Sequence, residues 1–130
     1  MAGQEKIRLL IADDHKMFTE GLRALLAKEP DIEVVGEAEN GRRAVELAAE
    51  LLPDVITMDI AMPELNGLKA TRQILEQHPK VKVIALSIHS DRRYVEGMLD
   101  AGASGYLLKE CAYEELVRAI HTVMQGKTYL

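Results

Sequence analysis

This 130-residue chain has one cysteine, no tryptophan, one phenylalanine and no surplus of positive charge, and each shortage excludes something. Cys111 alone forms no internal bridge, so no disulfide framework is expected and a reducing cytosol fits. No apolar run approaches the ~18 residues of a membrane span, and the N-terminus lacks a basic region followed by an apolar stretch. The expectation is a soluble, cytoplasmic chain. A formal net charge of -5 opposes nucleic-acid binding by this segment, since phosphate backbones are held by clustered Lys and Arg. Cations and proteins are the better-matched ligands. The histidines, His15, His78, His89 and His121, fall on separate predicted elements without metal-ligand spacing, which argues against a zinc site.

What is present is a core. With 48% hydrophobic residues in a length that suits one domain, the chain can bury roughly two thirds of its unfolded surface without a metal or disulfide. Five apolar runs read as strands. Ile7 to Ala12 stops at Asp13-Asp14, and Val55 to Met58 stops at Asp59. Val81 to Leu86 ends at Ser87, and Tyr106-Leu107-Leu108 ends at Lys109, after a turn bracketed by Gly102 and Gly105. Ile32 to Ala38 alternates with Glu33 and Glu37, a more polar strand suited to a sheet edge.

Amphipathic helices are predicted between the strands. Phe18, Leu22, Leu25 and Leu26 mark the first, which ends by Pro30; Ala44, Val45, Ala48, Leu51 and Leu52 mark the second, closed by Pro53. Leu68, Thr71, Ile74 and Leu75 form the third, with Asn66 as its cap and Pro63 ending any continued pairing before it. The fourth carries Tyr94, Val95, Met98 and Leu99 behind Ser90 or Asp91 as cap. The last carries Leu116, Val117, Ile120, Val123 and Met124, with Cys111 as an expected but poor cap, Glu114 placed as a capping-box acid, and Gly126 at its end. Five strands alternating with five helices call for an α/β fold, a parallel sheet covered on both faces by right-handed crossovers.

In such a sheet the strand C-termini share one edge, where ligands of open α/β sheets bind. Asp13, Asp14, Asp59, Ser87 and Lys109 all lie there. An Asp at a strand end is more often a cap or turn former, Lys109 alone would be a solvated lysine, and Ser87 alone a loop hydroxyl. The set is what points to chemistry. Three converging carboxylates raise one another's pKa values unless a cation intervenes, and Mg²⁺ prefers carboxylates, waters and a phosphate oxygen. Lys109 and Ser87 add a positive charge and a hydroxyl aimed at a phosphoryl group, which together describe a phosphoryl-transfer site. Tyr106, three residues before Lys109, is a candidate switch.

With those residues in place, the sequence resembles the receiver domains of two-component response regulators from Ile7 to Gly126. The matching motifs are Asp13-Asp14, Asp59 followed by Met62-Pro63 and Gly67, Ser87, and Tyr106 with Lys109. Residues 21–26, Ser87-Ile88-His89 and residues 102–109 look most like the NarL/FixJ (LuxR-type) subgroup. The resemblance implies a flavodoxin-like doubly wound sheet of order 2-1-3-4-5. It also implies that Asp59 accepts a phosphoryl group from a histidine kinase, and that Asp13, Asp14, Asp59 and the Ala61 backbone carbonyl hold Mg²⁺. Lys109 would pair with the phosphoryl oxygens, Ser87 would move to bond one of them, and Tyr106 would then turn inward. The fourth helix, fifth strand and fifth helix would form the responding surface, often a homodimer interface.

The subgroup further implies that residues 1–130 are the receiver part of a longer transcription regulator, whose C-terminal helix-turn-helix domain would bind DNA. Three positions depart from the family pattern. Ile88 is larger and Ala61 smaller than is usual, which bears on the dephosphorylation rate, and Glu110 replaces a common proline. Competing readings fit less well. A haloacid-dehalogenase-like phosphatase needs a second Asp where Ala61 stands, and a flavodoxin-type cofactor binder needs a Gly/Ser/Thr-rich loop where Asp13-Asp14-His15 stands. A phosphate-independent interaction module usually lacks an acid or the lysine, and all are present here.

Overall fold

The computed structural model describes residues 6–62, 65–88, 91–111 and 113–130. Pro63, the predicted break, and Ser90, one of two predicted caps, lie outside them, as does His89. Elements run β1 (Ile7–Ala12), α1 (Lys16–Leu26), β2 (Ile32–Ala38), α2 (Gly41–Leu51), β3 (Val55–Met58), α3 (Gly67–Gln77), β4 (Lys82–Ser87), α4 (Arg92–Asp100), β5 (Gly105–Leu108) and α5 (Tyr113–Met124). All four ladders are parallel, in the order β2-β1-β3-β4-β5. β2, the most polar strand, takes one edge.

Side-chain alternation along the strands divides the core between two faces. Leu10, Ala12, Ile56, Met58, Val83 and Ala85 pack with residues of α2, α3 and α4, including Ala48, Ile74 and Met98. Leu9, Ile11, Val55, Ile84 and Leu86 pack with Leu22 and Leu26 of α1 and Leu116, Ile120 and Val123 of α5. Strands buried on both faces explain why their sequences are continuous apolar runs. The chain leaves β1 in one direction for β2 and in the other for β3, so the crevice beyond the ends of β1 and β3 is the topological switch point.

Local chemistry sets the helix ends. The side chains of Asn40, Asn66 and Asp91 accept from Arg43, Lys69 and Arg93 backbone N–H groups and start α2, α3 and α4. Leu52, predicted on the apolar stripe of α2, is instead its C-cap at φ 47° and is 58% exposed. Arg8 Nη1 accounts for this, donating to the free carbonyls of Leu51 and Leu52 at 2.6 and 3.0 Å. Cys111 does not cap α5. The helix begins at Tyr113, and the Cys111 N–H donates to the Leu108 carbonyl in a turn. Val81 lies before β4, turned back by its bond to the His78 carbonyl, whereas Ser87 belongs to the strand. Gly105 opens β5 rather than closing a turn; the turn is made by Gly102 at φ 107°.

Candidate functional site

The ladders run one residue past three strands and fix the backbone of the site. Asp13 N–H donates to Ala38 O at 2.9 Å, Asp59 N–H to Ala12 O at 2.9 Å, and Lys109 N–H to Ser87 O at 2.8 Å. Asp13 and Asp59 thus leave the sheet at one level, whereas Lys109 follows two residues further along, and its side chain reaches back to both carboxylates. Gly67 brings α3 against this edge, with its N–H on Ile60 O at 2.8 Å.

The charges converge. Lys109 Nζ lies 2.7 Å from Asp13 Oδ2 and 3.4 Å from Asp59 Oδ2, all three side chains being at most 9% exposed. The Phe18 ring sits below the ammonium, its centroid 4.7 Å away. Asp14 is more open, its side chain 32% exposed. Asp59 Oδ1 accepts from the Ala61 N–H at 3.4 Å. Burial is the main influence on Asp59 and raises its pKa, the Asp13 charge adds to it, and Lys109 and the Ala61 N–H oppose both. One ammonium between two buried carboxylates leaves the cluster short of positive charge.

His15 joins the cluster, which the sequence reading did not anticipate. Its backbone N–H donates to Asp13 Oδ1 at 2.8 Å, and its Nδ1 lies 3.1 Å from Asp13 Oδ1, 3.4 Å from Asp14 Oδ1 and 3.7 Å from Asp59 Oδ2. Lys109 Nζ is 3.0 Å from the same nitrogen. A single histidine beside two aspartates carries no spacing signature. The only available signal was its place at the N-terminus of α1, where it is the cap residue without a side-chain cap bond.

Ser87 and Tyr106 form the other half of the site. Ser87 is fully buried at the end of β4, and Tyr106 is 7% exposed on the neighbouring strand. Their hydroxyls hydrogen-bond, and burial pushes the Tyr106 phenol above its ordinary pKa. Tyr106 already lies inward in this structure, its ring in the apolar cluster that includes Met98 and Ala103, so the inward turn expected to follow phosphorylation does not require it. Ile88, next to Ser87, is 70% exposed.

These donors suit a hard divalent cation. One ligand atom each from Asp13, Asp14, His15 and Asp59 can be chosen so that all lie within 4.8 Å of one another. Three are carboxylate oxygens in a group short of positive charge, the chemistry Mg²⁺ and its analogues select.

Comparison with known proteins adds the decisive observation: residues 9–121 match the family model described as the response regulator receiver domain. The chain belongs to this receiver family. It is 50% identical over 127 residues to the transcriptional regulatory protein DegU of Brevibacillus brevis, covering 98% of this chain and 54% of DegU. A LuxR-family two-component response regulator from Aurantimonas sp. SI85-9A1 superimposes with a TM-score of 0.92 at 32% identity, over 97% of this chain and 90% of that one. The signal receiver domain of NarL from Mycobacterium tuberculosis gives 0.91 at 34% identity, over 95% and 100%. The LuxR/NarL resemblance and the flavodoxin-like order 2-1-3-4-5 both hold. As a receiver domain the chain is a signalling switch of the two-component type. It spans little more than half the length of DegU. No helix among the described residues is long and apolar enough to cross a membrane.

Proposed function

We propose that Asp59 accepts a phosphoryl group from the phosphohistidine of a sensor histidine kinase in a Mg²⁺-dependent reaction, and that Ser87 and Tyr106 pass the change to a protein-binding face. One observation carries this: Lys109 reaches from the end of β5 to oxygens of both Asp13 and Asp59. Asp13, Asp14, Asp59 and the Ala61 carbonyl would hold Mg²⁺, which when bound supplies the positive charge that the carboxylates and an incoming phosphoryl group require.

An Asp59 carboxylate oxygen attacks phosphorus. The O–P bond forms as the N–P bond to the kinase imidazole breaks, with its electron pair remaining on nitrogen. Lys109, already 3.4 Å from Asp59 Oδ2, shifts its ammonium to the phosphoryl oxygens, whose charge of roughly -1.5 to -2 exceeds that of the carboxylate it leaves. Ser87 exchanges its bond with Tyr106 for a bond to a phosphoryl oxygen. That exchange releases the tyrosine hydroxyl, so Tyr106 and α4 repack, changing the face formed by α4, β5 and α5. Homodimerisation through that face is the output. Hydrolysis of the acyl phosphate restores Asp59, and the exposed Ile88 beside Ser87 bears on its rate.

We place residues 1–130 as the receiver part of a longer cytoplasmic transcription regulator, with DNA contacted by a C-terminal helix-turn-helix domain. The share of DegU left unmatched supports that organisation. Intact mass after incubation with a small-molecule phosphodonor tests the chemistry, with acid quenching to preserve the adduct. The expected result is a gain of one phosphoryl group that needs both Mg²⁺ and Asp59 and is lost in Asp59→Asn. No gain by the folded chain would transfer the function to a phosphate-independent interaction module.

A further inference from the structure

We infer that Phe18 is a positioning residue for the phosphoryl step, its ring face carrying the Lys109 ammonium by a cation–π contact as that ammonium moves from carboxylate to phosphoryl oxygens. This inference rests on the phosphoacceptor reading above. Lys109 Nζ lies 4.7 Å from the centroid of the Phe18 ring, inside the roughly 6 Å over which an aromatic face attracts a cation. The Lys109 side chain is 9% exposed, so little water competes for the charge, and a desolvated contact of this kind is stronger than one at the surface. Phe18 itself is fixed from two directions. It packs against the apolar cluster that includes Leu22, Leu86 and Leu116, and its helix is tied to the site by the bond from His15 N–H to Asp13 Oδ1 at 2.8 Å.

The ring differs from the other partners of this ammonium. Asp13 Oδ2 at 2.7 Å, His15 Nδ1 at 3.0 Å and Asp59 Oδ2 at 3.4 Å are atom-to-atom contacts, each holding Nζ at one point. Movement to the phosphoryl oxygens lengthens or breaks them. Attraction by the ring is spread over its face and takes up no proton, so it persists while the ammonium shifts by about 1 Å, the distance left before the contact is lost. Once Asp59 is an acyl phosphate it no longer carries the carboxylate charge, and the ring supplies a larger share of what holds Lys109. An interaction that counts for more in the transition state than in the resting site raises the rate. No second charge intrudes from the apolar side. Among the described residues, Lys109 is the one charged residue lining the cavity of about 330 Å³ that it and Phe18 share with Leu22, Leu25 and Leu116.

Phe18 is the sole phenylalanine of the chain, so biosynthetic replacement by mono-, di- and trifluorinated phenylalanine alters this ring and nothing else. Each added fluorine draws electron density from the ring face and weakens its hold on a cation, with little change in size. The initial rate of phosphoryl gain is read by intact mass, with limiting acetyl phosphate as donor and Mg²⁺ present, beside thermal melting. The expected result is a rate that falls at each step of fluorination, by roughly three- to thirtyfold in all, at an unchanged Tm. Phe18→Leu should be at least as slow as the most fluorinated chain. In the resting chain, NMR should show the Lys109 Hε protons shifted upfield by the ring current, a shift lost in Phe18→Leu. A rate that is flat across the series, or that falls only as Tm falls, would leave Phe18 a packing residue and overturn the role. Absence of the ring-current shift would overturn the contact itself. No phosphoryl gain by the unfluorinated chain would overturn the phosphoacceptor reading and this role together.

Discussion

A Cβ placed on Gly67 would stand 2.0 Å from the backbone carbonyl oxygen of Asp59. The first residue of α3 thus packs directly against the residue that carries the chemistry, and only glycine permits the approach.

Gly67→Ala must separate the two backbones. Doing so stretches the bond from Gly67 N–H to Ile60 O and moves Asp59 relative to Lys109. The expected loss is about 3 kcal/mol, the upper end for overpacking, or a fall in Tm of about 10 °C. Phosphoryl acceptance should fall further than stability does. Thermal melting beside the intact-mass assay separates the two effects; an unchanged Tm would show that the helix can move away freely.

Asp59 makes a prediction with a definite sign. Without a divalent cation, folding raises its pKa through burial and the Asp13 charge. The folded chain then holds more protons than the unfolded one between the ordinary carboxylate value and the raised one, so stability declines as pH rises through that window and stays lowered above it. Asp59→Asn removes this penalty. It should melt higher than wild type at neutral pH, and the difference should vanish once the pH is low enough to protonate Asp59. Mg²⁺ at a hundredfold its Kd should stabilise wild type by about 2.7 kcal/mol and the variant by clearly less. Calorimetry across pH, with and without Mg²⁺, measures each part.

The contrast between Asp59 and His15 shows what the sequence could reveal. Apolar runs closed by Asp13, Asp59 and Lys109 placed all three at strand ends, because a run buried on both faces cannot continue through a charge. Asn66 was legible as a cap from its neighbours alone, and Asp91 as one of two candidates beside Ser90. His15 was not, since its part in the site depends on Asp14, Asp59 and Lys109 arriving from three strand ends. Leu52 was misplaced because the periodicity of α2 continues through it, while the contact that ends the helix comes from Arg8, distant in the chain. Nor could the inward placement of Tyr106 be read, because a side-chain orientation depends on packing and on Ser87 across the sheet.

Ser87 and Tyr106 are coupled through their hydroxyls, and the coupling is measurable. Tyr106→Phe removes one hydroxyl and keeps the ring; Ser87→Ala removes the other. Each single change should cost about 1–2 kcal/mol, and the double change less than the sum, with a coupling of roughly 0.5–1.5 kcal/mol. Urea denaturation of the four chains gives the cycle. Additive costs would show that the two side chains act independently.

Tyr113 fastens α5 to the far end of α1. Its hydroxyl lies 2.9 Å from Glu29 Oε2 and 3.0 Å from the Leu25 carbonyl, and burial with the Glu29 carboxylate pushes the phenol up to about 12. Folding thus favours the protonated phenol, and the stability this gives is lost as pH rises from about 10 towards 12. Tyr113→Phe should cost about 1–2 kcal/mol at neutral pH and should flatten the alkaline decline. Ultraviolet titration of phenolate, beside melting curves, checks both.

The edge of β5 is covered by the segment after α5. Gly126, at φ 84°, ends that helix with Gly126 N–H on Val123 O and Lys127 N–H on Thr122 O, and so turns the chain back towards the sheet. Tyr106 N–H then donates to Tyr129 O at 3.0 Å, and Tyr129 N–H to Ser104 O at 2.9 Å. Gly105 allows the approach, since a Cβ there would stand 3.0 Å from Tyr129 O. An uncovered strand edge is a template for pairing with other chains. Deleting residues 127–130 should therefore speed hydrogen exchange at the Tyr106 amide and increase self-association at high concentration. Repacking of Tyr106 on phosphorylation would strain the same bond, so the phosphoryl analogue beryllofluoride should also speed exchange at that amide in the intact chain. If the amide exchanges at one rate in all three states, this segment neither protects the edge nor senses the site.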